Sequence, residues 1–220
     1  MRKSLLLAVL PLIFVWPTLA DVYGVDFPTP PGPWTPNYGL YTTLGYEFTA
    51  NTAVSVDGLG TWATDGLQLA INEPVGLWNS AGNLLASTIL TPSDPVTVTP
   101  AGGTWVFAAI TPVALTAGDN YYVGSVPAGY EYGYFASPPG FTVDPSITYV
   151  RDAYDGSNGL ASVGELTFPS LSEANFIGWF GGNVELSSST VTPEPAFFIP
   201  VVAGLGLIAF KLKRRRRTHA

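Results

Sequence analysis

The stretch VGLWNSAGNLLASTIL, residues 75–90, sets two apolar runs around the cluster Asn79-Ser80-Ala81-Gly82-Asn83. Gly82 and Asn83 are residue types that tolerate positive φ, and Asn and Ser side chains bond to nearby backbone. The pattern predicts strands at Val75–Asn79 and Leu84–Leu90 joined as an antiparallel hairpin. Residues 111–126, TPVALTAGDNYYVGSV, repeat the logic, with Ala117-Gly118-Asp119-Asn120 as the turn before an aromatic run. Outward from these, short runs rich in Val, Ile, Thr, Tyr, Phe and Trp predict further strands. They lie at Gly45–Ala50, Ala53–Leu59, Gln68–Ile71, Thr104–Ile110, Tyr121–Val126, Tyr130–Ala136, Ile147–Val150 and Phe176–Leu186. Strands spaced by roughly 8–12 residues with turn signals between them indicate an all-β fold, an antiparallel β-sandwich of jelly-roll-like or Ig-like type. This domain is placed at 38–187. Residues 21–37, with five prolines between Pro28 and Pro36, are read as an extended Pro-rich arm, a linker or an edge cover. Residues 137–159 are read as an insertion or long loop, and no internal repeat is visible.

The charges are segregated. The 220 residues carry a net charge of −7, with nine Lys and Arg against 16 Asp and Glu. Between residues 21 and 192 stand 15 acidic residues and the single Arg151, a net charge of −14. Such a surface repels phosphate backbones, so nucleic acid is not an expected partner.

Composition also limits the chemistry. There is no Cys, and the only His is His219 in the basic tail. Ser-His-Asp and Cys-His mechanisms, and the usual His- or Cys-based zinc and copper sites, are thereby excluded from the body. Lys is absent from 21–192, which removes Schiff-base and Ser-Lys chemistry. Carboxylate-only chemistry survives, such as glycoside hydrolysis by two acidic residues. No catalytic residue is assigned, and the expectation is a protein that is not an enzyme.

Two constellations carry weighable alternatives. In RDAYDGSNG, 151–159, Asp152, Asp155, Ser157 and Asn158 offer oxygen ligands of the kind Ca²⁺ takes, without the spacing of an EF-hand. Calcium at Asp152 and Asp155 is the one candidate cofactor; a solvated turn is the preferred reading. In YEYGYF, 130–135, Tyr130, Tyr132 and Tyr134 share one face of a strand, as a sugar-stacking platform or, preferably, as a packed face. Trp62, Trp78, Trp105 and Trp179 are read as core or hairpin clasps.

The ends read as addresses. Arg2 and Lys3, an apolar run from Leu5 to Trp16, and Thr18 and Ala20 at the −3 and −1 positions make residues 1–20 a secretory signal peptide cut after Ala20. After a polar linker at 188–192 come Pro193-Glu194-Pro195, an uncharged run from Ala196 to Phe210, and a basic tail. The run predicts a single short transmembrane helix, held with its C-terminus in the cytoplasm by Lys211, Lys213 and Arg214, Arg215, Arg216 and Arg217. The triplet, helix and arginine cluster, residues 193–217, resemble the PEP-CTERM sorting signal. The resemblance implies a Gram-negative bacterium making exopolysaccharide, transient residence in the inner membrane, and processing by an exosortase-type enzyme near Pro193, Glu194 and Pro195. The alternative is an ordinary tail anchor whose Pro and Glu begin a helix.

The body is similar to bacterial β-sandwich domains of unassigned function. Gly76-Leu77-Trp78, Gly82, Leu84-Leu85-Ala86, Thr111-Pro112-Val113, Leu115, Ala117-Gly118 and Tyr121 carry that likeness, over about residues 45–126. The expected role is structural or adhesive, at the cell surface or in an extracellular matrix, linked to exopolysaccharide. The alternative is a carbohydrate-binding or carboxylate-only hydrolytic domain exported by the same route.

Overall fold

A computed structural model describes residues 22–28, 35–36, 42–63, 68–127, 131–134, 140–155, 165–172 and 178–188. Within them the chain forms strands and no helix. The strands are β1 (Val22–Tyr23), β2 (Val25–Asp26), β3 (Thr35–Pro36), β4 (Leu44–Ala50), β5 (Val54–Trp62), β6 (Glu73–Asn79), β7 (Leu84–Leu90), β8 (Val96–Val98), β9 (Thr104–Leu115) and β10 (Asn120–Ser125). They continue as β11 (Glu131–Tyr134), β12 (Thr142–Val143), β13 (Ile147–Tyr154), β14 (Trp179–Phe180) and β15 (Gly182–Ser188). Two five-stranded sheets run in the orders β1-β15-β5-β9-β8 and β13-β4-β10-β6-β7, and every ladder is antiparallel. The smaller sheets are β14-β11-β3 and β12-β2.

Alternation builds the core between the two large sheets. Tyr46 and Phe48 of β4, Val75 and Leu77 of β6, and Tyr121 and Val123 of β10 turn one way. They meet Val56 and Leu59 of β5, Trp105 of β9, and Val184 and Leu186 of β15. Successive strand residues point to opposite faces, so period-2 positions share one side, and a bulge between Val56 and Gly58 brings Val56 and Leu59, three residues apart, onto the same side. Phe27 fills the middle, stacked on Trp62 with ring centroids 4.7 Å apart and edge-on to Trp105 at 5.7 Å. A fully buried Phe contributes about 2–3 kcal/mol by removal from water.

The hairpin at 75–90 forms as predicted. Asn79 Oδ1 accepts from the N–H groups of Ala81 and Asn83 at 3.1 and 3.0 Å, and Gly82 takes φ of 80°. The segment 111–126 differs. Its turn forms, with Gly118 at φ 88°, but β9 and β10 lie in different sheets. The backbone of Ala50 takes both sides of the turn: Gly118 N–H donates to Ala50 O at 2.7 Å and Ala50 N–H donates to Asp119 O at 3.0 Å. The chain thus crosses the core and β10 pairs with β4 and β6 instead of β9.

Other expectations are corrected by pairing. Residues 68–72 form no ladder; only Leu69 is buried there, so no alternating face exists to hold a strand. Part of the segment read as a loop forms β12 and β13, and β13 is an eight-residue margin of a main sheet. In the segment read as an arm, a linker or an edge cover, β1 pairs with β15 and Thr35–Pro36 pairs with β11, both at sheet margins, while Val25 and Phe27 are fully buried. The predicted strand at Phe176–Leu186 is broken at Gly181 into β14 and β15.

Candidate functional site

Sequence patterning places Glu47 opposite Tyr46 and Phe48, on the outer face of β4. The ladder register carries that face across four strands, aligning Arg151 with Glu47, Glu47 with Tyr122, and Tyr122 with Trp78. Arg151 Nε donates to Glu47 Oε2 at 2.5 Å, and an Arg151 terminal nitrogen donates to the Tyr122 hydroxyl at 3.2 Å. Asn120 Nδ2 completes the carboxylate by donating to Oε1 at 2.8 Å. Burial first, and then Glu47, raise the Tyr122 pKa against the opposing pull of Arg151, and the hydrogen bond to Tyr122 contributes most to raising that of Arg151.

Residues 165–172 cover this row. Phe168 packs edge-on against Tyr122 at 4.9 Å and tilted against Trp78 at 6.4 Å. The backbones of Leu171 and Tyr154 exchange two hydrogen bonds of 2.9 Å. Trp78 and Tyr122 are consequently buried, while the Arg151 side chain stays 46% exposed. The row is a covered face with one half-exposed cation, and it was not assigned from the sequence. Arg151 being the only basic residue of the body was the available signal.

Of the other buried carboxylates, Asp26, Glu73 and Asp155 hold backbone or hydroxyl donors. Asp26 accepts from the hydroxyl of Thr99, from Phe27 N–H at 2.9 Å and from Ala101 N–H at 2.8 Å, tying the N-terminal strand to the β8–β9 turn. Glu73 accepts from Thr61 Oγ1 at 3.0 Å, and Thr61 also meets Ser125 Oγ at 2.8 Å. Asn183 Oδ1 accepts from the Tyr46 hydroxyl at 2.9 Å, and its amide donates to Val25 O at 2.8 Å. Burial, and then Tyr149, hold Tyr46 well above the ordinary tyrosine range; burial, and then the charge of Asp152, do the same for Tyr149.

Asp152 and Asp155 are both buried, not set on a solvated turn. They serve different surroundings. Asp152 pairs across from Tyr46 on β13, whereas Asp155 Oδ2 accepts from Thr43 N–H at 2.7 Å. Among the described residues no three Asp, Glu, His or Cys converge as a metal-binding group. Ser157 and Asn158 lie outside the described residues, as do Ala20, the triplet Pro193, Glu194 and Pro195, and Arg214 to Arg217. Of the tyrosine stripe, the backbone of 131–134 forms β11, paired with β3 and β14. Trp62, Trp78 and Trp105 are buried, as expected of clasps. No described helix is long and apolar enough to cross a membrane.

No curated protein and no solved structure matches the chain. Residues 29–178 match a family described as a domain of unknown function, DUF4082, a span that reaches well past the hairpin similarity at 45–126. The chain belongs to the DUF4082 family.

Proposed function

We propose that this chain is an exported, non-enzymatic structural or adhesive protein of the cell surface or extracellular matrix, associated with exopolysaccharide. The observation that carries the reading is how four of the five carboxylates buried among the described residues are used. Asp26, Glu47, Glu73 and Asp155 each accept hydrogen bonds from the fold's own groups. A general acid or base must instead reach a substrate proton. The body also supplies no imidazole, thiol or amine to work beside them. The strand path supports a jelly-roll sandwich. Taking β1, β4, β5, β6, β7, β9, β10 and β15 as strands one to eight, the two sheets run 1-8-3-6 and 2-7-4-5. That architecture serves many activities, so the role rests on the carboxylates and not on the fold.

The route rests on the two ends. A signal peptide cut after Ala20 exports the body. The apolar run and Arg214 to Arg217 hold it in the inner membrane until an exosortase-type enzyme acts near Pro193-Glu194-Pro195. The test is mass analysis of membrane and extracellular fractions for the native chain and Glu194→Ala. The native protein is expected outside the cell, beginning at Asp21 and lacking the basic tail, with Glu194→Ala retained in the membrane at full C-terminal length. Equal distribution and equal mass of the two would refute the processing route.

A further inference from the structure

Four strands form the margins of the two large sheets, and three of them are blunted. β1 has two residues and β8 three. β13 carries a bulge between Tyr149 and Arg151, bears a charged side chain, and is bridged at Tyr154 by Leu171. Beyond β8, the free side of β9 is interrupted where Ile110, Thr111 and Pro112 swell the ladder between Ala109 and Val113. Short length, bulges, charge and proline are the devices that keep sheet edges from pairing.

β7 has almost none of them. Its seven residues, LLASTIL, contain no charge and no proline. A bulge lies at its start, after which Ala86 to Leu90 pair with β6 in unbroken register, and no described strand pairs with its other side. Leu84, Leu85 and Ile89 are 50%, 38% and 60% exposed. Beside it a groove of about 560 Å³ opens towards β9, lined by Leu85, Ala86, Ile110, Pro112 and Val113 among others.

We propose that β7 pairs antiparallel with β7 of a second copy of this chain, joining two five-stranded sheets into one of ten strands about a two-fold axis at Ser87. Two observations select a second copy as the occupant. The strand is chemically self-complementary: reversal about Ser87 sets Leu84 against Leu90, Leu85 against Ile89, and Ala86 against Thr88 of the other copy. Isologous pairing requires this of a single segment. Charge makes the same selection. In a body of net charge −14, two copies repel over most orientations, but between Glu73 and Asp119 the only charged residue is Asp94. The β7 margin is therefore where acidic copies approach at least electrostatic cost. The pairing satisfies the outward N–H and C=O groups of β7 and covers its exposed leucines and isoleucine. It stands apart from the export route.

The test is sedimentation of the full chain in mild non-ionic detergent over a range of concentrations, for the native sequence, Ile89→Lys and Val150→Lys. Native and Val150→Lys should show the same monomer–dimer equilibrium, and Ile89→Lys should weaken it at least tenfold. A trap avoids dependence on the charged variant. The chain has no Cys, and opposed residues have Cβ atoms about 4.5–5.5 Å apart, a small shift from disulfide reach. Ser87→Cys should therefore crosslink to itself under mild oxidant well ahead of Thr148→Cys on β13. A native chain that stays monomeric, an Ile89→Lys chain that dimerises like the native, or crosslinking no faster at 87 than at 148 would each overturn the proposal.

Discussion

The β13 and β7 margins belong to the same sheet and are built from opposite materials. At β13 the chain invests in non-local polar contacts. Arg151 reaches Glu47 and Tyr122, Leu171 bridges Tyr154, and Asp155 both accepts from Thr43 N–H and donates its own N–H to Thr43 O. At β7 the structure is local: one hairpin turn, one ladder to β6, and apolar side chains left in solvent. The difference separates two ways of holding a margin. One depends on partners up to 112 residues away in sequence; the other depends on a turn whose chemistry lies within five residues.

The largest expected effect tests that dependence beside β13. A Cβ added to Gly45 would stand 1.8 Å from Val123 O, a backbone atom that cannot swing aside. Gly45→Ala should cost about 3 kcal/mol, at the upper end of overpacking. Gly82→Ala in the β7 hairpin meets only the Phe168 ring at 3.1 Å, but must hold φ of 80°. It should cost about 1 kcal/mol, the penalty of a left-handed site. Urea melts of the two variants check the order, and a Gly82 loss equal to that at Gly45 would erase the contrast.

Glu47→Ala comes next. Glu47 is 5% exposed and accepts from both Arg151 and Asn120, so its removal orphans two donors. The loss should be about 2 kcal/mol, moderated because half-exposed Arg151 recovers water. On the β7 side, Asp94 accepts from Thr91 N–H in a part-buried turn, and Asp94→Ala should cost about 0.5–1 kcal/mol. Thermal melts of both give the ratio.

The same contrast explains what the sequence revealed. Hairpin 75–90 was legible because Asn79 and Gly82 contain both the turn and its hydrogen bonds. The turn at 116–120 was equally legible, but its consequence was not. Gly118 reverses the chain, while Ala50, some 70 residues away, decides which sheet β10 joins. Phe27 was hidden among prolines that suggested an arm, because nothing local reports that Trp62 stacks on it and Trp105 meets it edge-on. At the candidate site, neither Glu47 nor its cover was singled out from the sequence: alternation sets Glu47 opposite Tyr46 and Phe48, but nothing local reports that residues 165–172 lie over that face.

A smaller effect appears at high pH. Tyr46 and Tyr149 have hydroxyl pKa values raised above the ordinary 10.0, chiefly by burial. The folded state therefore keeps their protons where the unfolded chain releases them. Their contribution is complete below about pH 10 and declines as pH rises from there through the raised folded values. The Tyr149 hydroxyl has no hydrogen-bond partner, so Tyr149→Phe should cost little at pH 7. Denaturant melts from pH 7 to 11.5 should show the variant losing less stability than the native protein above pH 10. Parallel curves would remove Tyr149 from the account. The β7 residues carry no titratable side chain, and their margin should contribute no pH dependence.

The smallest expected effect on folding sharpens the comparison most. Ile89 is 60% exposed and pairs across from Pro74, so its outer side chain loses little water contact in the folded monomer. Ile89→Lys should shift monomer stability by no more than about 0.5 kcal/mol, the range of ordinary surface substitutions. Val150→Lys, at a 44% exposed bulge on β13, should be as mild. Both lysines reduce the negative charge of the body, so general electrostatics cannot separate them. Urea melts at concentrations low enough to keep the chain monomeric should therefore coincide. Raising concentration should stabilise the native chain and Val150→Lys, because association draws on the folded state alone, and leave Ile89→Lys unchanged. Identical concentration dependence in all three would mean that the bare β7 margin is no more interactive than the guarded one, and that its exposed side chains are ordinary surface.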